Sequence, residues 1–172
     1  GKIPAYASGF FGKEGRPLTP AECADEAKSY ADQGFRGVKM KVGYGNESDL
    51  ENLEAVRKAL GPDLGIMVDA NQGFSYHDVM KIARELAQFD LTFIEEPLPI
   101  NDLDAMAALV EAVEIPIAAG ENYYTRYEFR DVIVKRAVNI IQPDIIHAGG
   151  ITETRKIADM ASAWNIPCAP HI

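Results

Sequence analysis

Apolar, β-branched runs alternate with amphipathic stretches along the whole chain. The runs predict strands at 3–8, 37–42, 66–70, 92–95, 115–119, 139–143 and 168–171. Helical periodicity lies between them, near 20–33, 47–60, 76–88, 101–113, 125–135 and 152–164. Local signals support these boundaries. Thr19-Pro20, Ser75 before Tyr76, and Thr152 after Gly149-Gly150 read as helix starts, while Gly34 and Gly61-Pro62 read as stops. Regular strand–helix alternation implies a parallel sheet with helices outside it, and apolar residues on both strand faces agree with burial on both sides.

The first strand runs into Gly9-Phe10-Phe11-Gly12-Lys13-Glu14-Gly15, which is not the glycine fingerprint of a dinucleotide fold. The expected architecture is therefore α/β, a TIM-type (β/α) barrel. Such a barrel needs eight strands. Seven strands and six helices are read here, so residues 1–172 are expected to form one partial barrel domain without its last βα unit. Two unpaired sheet edges would follow, and with them a tendency to aggregate.

Charged residues collect at the carboxyl ends of the predicted strands, where a barrel places its active site. Lys39 and Lys41 share one face of the second strand, and Asp69 and Asn71 end the third. Glu95-Glu96, Glu121-Asn122, Asp144 and His171 end the fourth to seventh. From Lys41 to Asp69, Glu95, Glu121, Asp144 and His171 the steps are 28, 26, 26, 23 and 27 residues. Each step is one βα unit, so these side chains aim at one mouth.

Three carboxylates at one mouth repel unless a cation sits among them. Hard oxygen ligands suit Mg²⁺, or Mn²⁺, better than zinc, with Asp69, Glu95 and Glu121 as ligands. Two inward lysines beside a metal are expected to lower each other's pKa, which would let one serve as a base near neutral pH. Asp144 and His171 sit on adjacent strands, where the carboxylate can fix the imidazole tautomer and raise its basicity. His147, in the loop after the sixth strand, is a candidate substrate contact, whereas His77 reads as a surface residue.

Composition narrows the class further. The chain has 172 residues, 47% hydrophobic and 25% charged, with a net charge of −9 and no basic cluster. Nucleic acid and anionic membrane are therefore poor partners, and no apolar run reaches the roughly 20 residues that span a bilayer. No signal peptide is read at the start. Cys23 and Cys168 match no metal or redox spacing and are expected to be reduced thiols in a cytoplasmic protein.

Taken together, Lys39-Met40-Lys41, Val68-Asp69-Ala70-Asn71-Gln72, Ile94-Glu95-Glu96-Pro97, Gly120-Glu121-Asn122, Gln142-Pro143-Asp144, Gly149-Gly150-Ile151-Thr152 and Pro170-His171 resemble the enolase superfamily, and within it the mandelate racemase subgroup. The resemblance implies Mg²⁺-dependent removal of the proton α to a carboxylate, through a metal-stabilised enolate. It makes Lys41 a base on one face of the substrate and His171, oriented by Asp144, a base or acid on the other. Lys39 then neutralises the substrate carboxylate, and Asn71 touches substrate or outer water. Dehydration of a sugar acid is the leading expectation, on the numbers of such relatives with both bases. Racemisation or epimerisation of a 2-hydroxy acid is the alternative. Cycloisomerisation ranks lower, because relatives of that kind usually carry a lysine on the sixth strand. A non-catalytic barrel piece is the reading from another class. The resemblance also implies a capping domain and a final βα unit outside this sequence, and a homo-oligomer for the complete protein.

Overall fold

The computed structural model describes residues 3–13 and 15–171, and its elements alternate as the hydrophobic pattern predicts. The strands are β1 (Ala7–Ser8), β2 (Gly37–Lys41), β3 (Gly65–Asp69), β4 (Leu91–Glu95), β5 (Ile117–Ala119) and β6 (Ile140–Ile141). The helices are α1 (Pro20–Asp32), α2 (Asn46–Leu60), α3 (Tyr76–Leu86), α4 (Leu103–Ala112), α5 (Thr125–Val134) and α6 (Ile151–Ser162). A 3-10 turn, Ala87–Phe89, extends α3. Neighbouring strands all pair in parallel in the order β1-β2-β3-β4-β5-β6, the incomplete-barrel architecture expected.

Caps start several helices where the sequence places them. The Thr19 hydroxyl accepts from the Glu22 N–H at 3.4 Å, and the Glu22 carboxylate accepts from the Thr19 N–H at 2.9 Å, closing a capping box on α1. Ser75 accepts from the Asp78 N–H at 3.2 Å and Asp102 from the Ala105 N–H at 3.0 Å. α6 departs from expectation: Gly150, at φ 98°, is its N-cap, so Thr152 lies inside the helix instead of opening it.

The sheet separates two apolar regions. Val38, Met40, Ile66, Val68, Ile94 and Ile117 pack outward into the helix layer. On the other face Met67, Phe93 and Ala118 form a small cluster with Tyr6 and Ile140. Side chains two apart on a strand share a face. Asp69 therefore stands above Met67, Glu95 above Phe93, and Gln142 above Ile140. A polar layer thus rests on an apolar plug, as in the layered interior of a barrel.

The sheet is shorter at both ends than the pattern predicts. β1 pairs only at Ala7–Ser8, although the first strand was expected from residue 3. The predicted strand at 168–171 reduces to two bridges, Ile141↔Cys168 and Asp144↔His171. The Ile141 N–H donates to the Pro167 carbonyl, the Ala169 N–H to Ile141 and the His171 N–H to Pro143, but Pro143 has no N–H to donate to Ala169, so the ladder is interrupted there. Among the described residues the regular sheet has six strands, not seven. Its open side holds a cleft of about 640 Å³ lined by Tyr6, Ser8, Lys39 and His171 among others. Cys23 and Cys168 are free thiols, and burial pushes both up to about 11. No helix among the described residues is long and apolar enough to cross a membrane.

Candidate active site

Strand register assembles the site. Lys41 pairs with Asp69, and Asp69 with Glu95, so the ends of β2, β3 and β4 present their charges at one level. Glu121 joins them from the loop after β5. One ligand atom from each of Asp69, Glu95 and Glu121 lies within 4.8 Å of the others. Glu95, not Glu96, faces this cluster, as strand parity predicts.

The two buried carboxylates are gripped on both oxygens. Lys41 Nζ is 2.6 Å from Asp69 Oδ2, and the Asn71 N–H donates to Asp69 Oδ1 at 3.0 Å. Lys39 Nζ donates to Glu95 Oε1 at 2.5 Å and lies 3.6 Å from Asp69 Oδ2. Gln142 Nε2 donates to Glu95 Oε2 at 2.6 Å. Burial and then the neighbouring Asp69 charge push the Glu95 carboxyl above its ordinary value.

Lys39 is governed by its carboxylate partners. Burial pulls its ammonium down, but the Glu95 charge and hydrogen bond outweigh this, and its net shift is upward. Its nearest charges are the carboxylates of Glu95 at 2.5 Å and Asp69 at 3.6 Å, which favour the ammonium form. Lys41 is the more accessible of the two, with its Nζ also donating to Asn71 Oδ1 at 2.7 Å. The exposed Phe11 ring lies 5.9 Å from that Nζ.

On the opposite flank, His171 Nδ1 is 3.0 Å from Asp144 Oδ2 and its Nε2 is 2.9 Å from Glu121 Oε2. A carboxylate oxygen only accepts, so both contacts are satisfied when both ring nitrogens carry hydrogens. Asp144 is held down to about 2, chiefly by the His171 hydrogen bond and then by the His147 N–H, with the Ile146 N–H adding to it. His147 stacks on Tyr124 at 5.5 Å, and its Nδ1 sits 2.8 Å from the Glu121 carbonyl oxygen. It is thus placed beside the site rather than aimed into the carboxylate cluster. His77 is exposed on α3.

Several participants carried no separate signal in the sequence. Gln142 lies within a quoted motif, and its inward parity with Ile140 was the available clue. Tyr6 lies 5.8 Å from the Lys39 ammonium by its ring and 3.4 Å from Gln142 Nε2 by its hydroxyl. Glu96 is fully buried, and its carboxylate accepts from Asn122 Nδ2 at 3.0 and 2.8 Å and from Gln72 Nε2 at 3.3 Å. Burial pushes Glu96 up to about 7 against the lowering effect of Asn122. No pattern announces Glu96, because its φ of 39° breaks the strand alternation just past β4.

The donor set fits a hard divalent cation. Asp69, Glu95 and Glu121 supply only oxygen, and their three negative charges outnumber the two ammoniums that face them.

Residues 22–172 match the family model described as "Enolase C-terminal domain-like". An arabinonate dehydratase of Saccharolobus solfataricus is 39% identical over 171 residues, covering 99% of this chain and 45% of that protein. The solved 3,6-anhydro-D-galactonate cycloisomerase of Zobellia galactanivorans superposes with a TM-score of 0.91 at 39% identity, over 99% of this chain and 46% of that one. A racemase of Streptomyces coelicolor with bound magnesium gives a TM-score of 0.92 at 35% identity, over 99% of this chain and 50% of that one. The chain spans about half the length of these relatives. On its sequence, its sheet and its matched length, the chain belongs to the enolase superfamily and there to the mandelate racemase group, by way of the enolase C-terminal domain-like family.

Proposed function

We propose that this chain carries the acid–base and metal-binding half of an enzyme that dehydrates a sugar acid. The observation that carries the reading is the placement of Lys41 and His171 on opposite flanks of one three-carboxylate cluster. Asp69, Glu95 and Glu121 would hold the ion, Mg²⁺ first and Mn²⁺ as an alternative. Bound there, the cation supplies electrostatic stabilisation for the second negative charge that builds on a carboxylate when its α-proton leaves.

The chain's own residues account for the rest. Lys39, pinned by Glu95, faces the substrate carboxylate as a fixed positive charge. Lys41 in its free-base form removes the α-proton, and the C–H electron pair becomes the C=C bond of an enolate. His171, held between Asp144 and Glu121, is the acid that gives a proton to the departing β-hydroxyl. The β-carbon–oxygen bond breaks, water leaves, and the enol formed tautomerises to a 2-keto-3-deoxy acid. Asn71, bonded to Lys41, and His147 at the rim are placed to touch substrate hydroxyls.

Racemisation uses the same pair, with His171 returning its proton to the α-carbon instead of to a leaving group. The bound-magnesium racemase among the structural relatives keeps this second reading in view. The cycloisomerase relative, at 39% identity, also keeps ring chemistry among the outcomes, although Asp144 stands where that chemistry was expected to need lysine.

The test incubates the full chain with Mg²⁺ and a panel of aldonic, aldaric and 2-hydroxy acids in D₂O. Expected are Mg²⁺-dependent α-deuteration and accumulation of a 2-keto acid. Deuteration with inversion and no keto acid would select the racemase. Absence of exchange on the whole panel would leave a structural barrel piece. Cytoplasmic location and a homo-oligomer complete the proposal, the latter read by light scattering.

A further inference from the structure

Each metal-facing carboxylate has its own holders, and they are unequal. Asp69 is held by Lys41, Lys39 and the Asn71 N–H, and Glu95 by Lys39 and Gln142. Glu121 meets no lysine among the described contacts. Its side chain is held by His171 Nε2 at 2.9 Å on Oε2 and by Asn122 Nδ2 at 3.4 Å on Oε1. Once His171 turns to substrate, the Asn122 amide is the remaining hold on Glu121 among the described residues.

That amide is set from behind. Asn122 Nδ2 lies 2.8 and 3.0 Å from the two oxygens of Glu96, a fully buried carboxylate that the proposed reaction does not use. Glu96 also takes Gln72 Nε2 at 3.3 Å, and its carbonyl accepts the Gln72 N–H at 2.7 Å. The loops after β3, β4 and β5 therefore meet on one side chain. Their backbones need such a tie, because Asn71, Gln72 and Glu96 sit at φ 42°, 64° and 39°, where side-chain-bearing residues are strained.

We propose that Glu96 is a positioning residue for the metal centre: through Asn122 it orients Glu121, and through Gln72 it shapes the loop that follows Asp69. This rests on the reading of Asp69, Glu95 and Glu121 as metal ligands. The link predicts a specific failure in Glu96→Gln. One of the two oxygens that accept from Asn122 becomes an NH₂ facing the Asn122 NH₂, so one of these hydrogen bonds is replaced by a donor–donor contact with almost no change of volume. Outer partners of metal ligands typically account for about 10–100-fold in metal affinity.

The experiment is calorimetric titration of the full chain with Mg²⁺, beside circular dichroism to verify folding. Glu96→Gln and Asn122→Ala should each weaken binding roughly 10-fold or more. The double variant should be no weaker than either single one, because both act along one link. Unchanged affinity in a folded Glu96→Gln chain overturns the proposal, and so do additive losses in the double variant. Should Glu96→Gln not fold, Glu96→Asp, which keeps the charge but draws the oxygens back from Asn122, takes its place: a roughly 10-fold loss in Mg²⁺ affinity supports the link and unchanged affinity overturns it. Wild-type chain that binds no Mg²⁺ fails at an earlier point, by removing the metal reading itself.

Discussion

Lys39 offers the most direct test of how the carboxylate layer is held. Its side chain is 4% exposed, with Nζ 2.5 Å from Glu95 and 3.6 Å from Asp69, which are each 1% exposed. Replacing Lys39 with methionine keeps the apolar stem and removes the charge. Two buried carboxylates then face each other with only Lys41 to offset them. Removing one partner of a buried ion pair typically costs about 3–5 kcal/mol, far more than the net worth of an exposed pair. For a chain of this size a kcal/mol moves the melting temperature by about 2–4 °C, so Lys39→Met should melt roughly 6–20 °C lower in metal-free buffer. Mg²⁺ should narrow that gap. The variant's cluster carries one more uncompensated negative charge, binds the cation more tightly, and gains more stability by mass action; saturation at about 100 times the Kd is worth about 2.7 kcal/mol. Circular dichroism melts with EDTA and with Mg²⁺ read both effects. A variant as stable as wild type without metal, or a gap that Mg²⁺ widens, would refute this account of the site.

Other outcomes follow from the same geometry. Glu121→Gln should abolish calorimetric Mg²⁺ binding while lowering the metal-free melting temperature little, because Glu121 is the least buried and least tightly held of the three acids. His171→Asn should remove dehydration yet retain α-deuteration through Lys41, whereas Lys41→Met should remove both, because no enolate forms without the base; NMR of the α-position distinguishes the two. Asp144 is held down to about 2 by its hydrogen bonds, so the stability it adds is present above its ordinary value of 3.8 and disappears as pH falls through about 2. Urea midpoints of Asp144→Asn should therefore lie below wild type at pH 5–6 and converge with it near pH 2.

Much of the site was legible because barrel strands place charge at regular chain intervals. Asp69, Glu95, Glu121, Asp144 and His171 each recur about one βα unit apart, and all five meet in the structure. Glu95 was separable from Glu96 because inward parity is a local property of a strand. The role of Glu96 was not legible: φ 39° turns it out of the alternation, and its partners Asn122 and Gln72 come from other units. The seventh strand was over-read, since its composition is strand-like while Pro143 on the neighbouring strand lacks the N–H that the ladder needs.

By itself the sequence determined the order of strands and helices, the parallel sheet, and which acids and bases share its carboxyl-terminal edge. These follow from hydrophobic period and chain spacing, which are written along the chain. The tertiary structure alone decided that Gln142 and Lys39 divide the oxygens of Glu95, that His171 bridges Asp144 and Glu121, and that Glu96 ties three loops from behind. Such pairings depend on strand register and on side chains 24 to 56 residues apart meeting within hydrogen-bond distance, which no local pattern encodes.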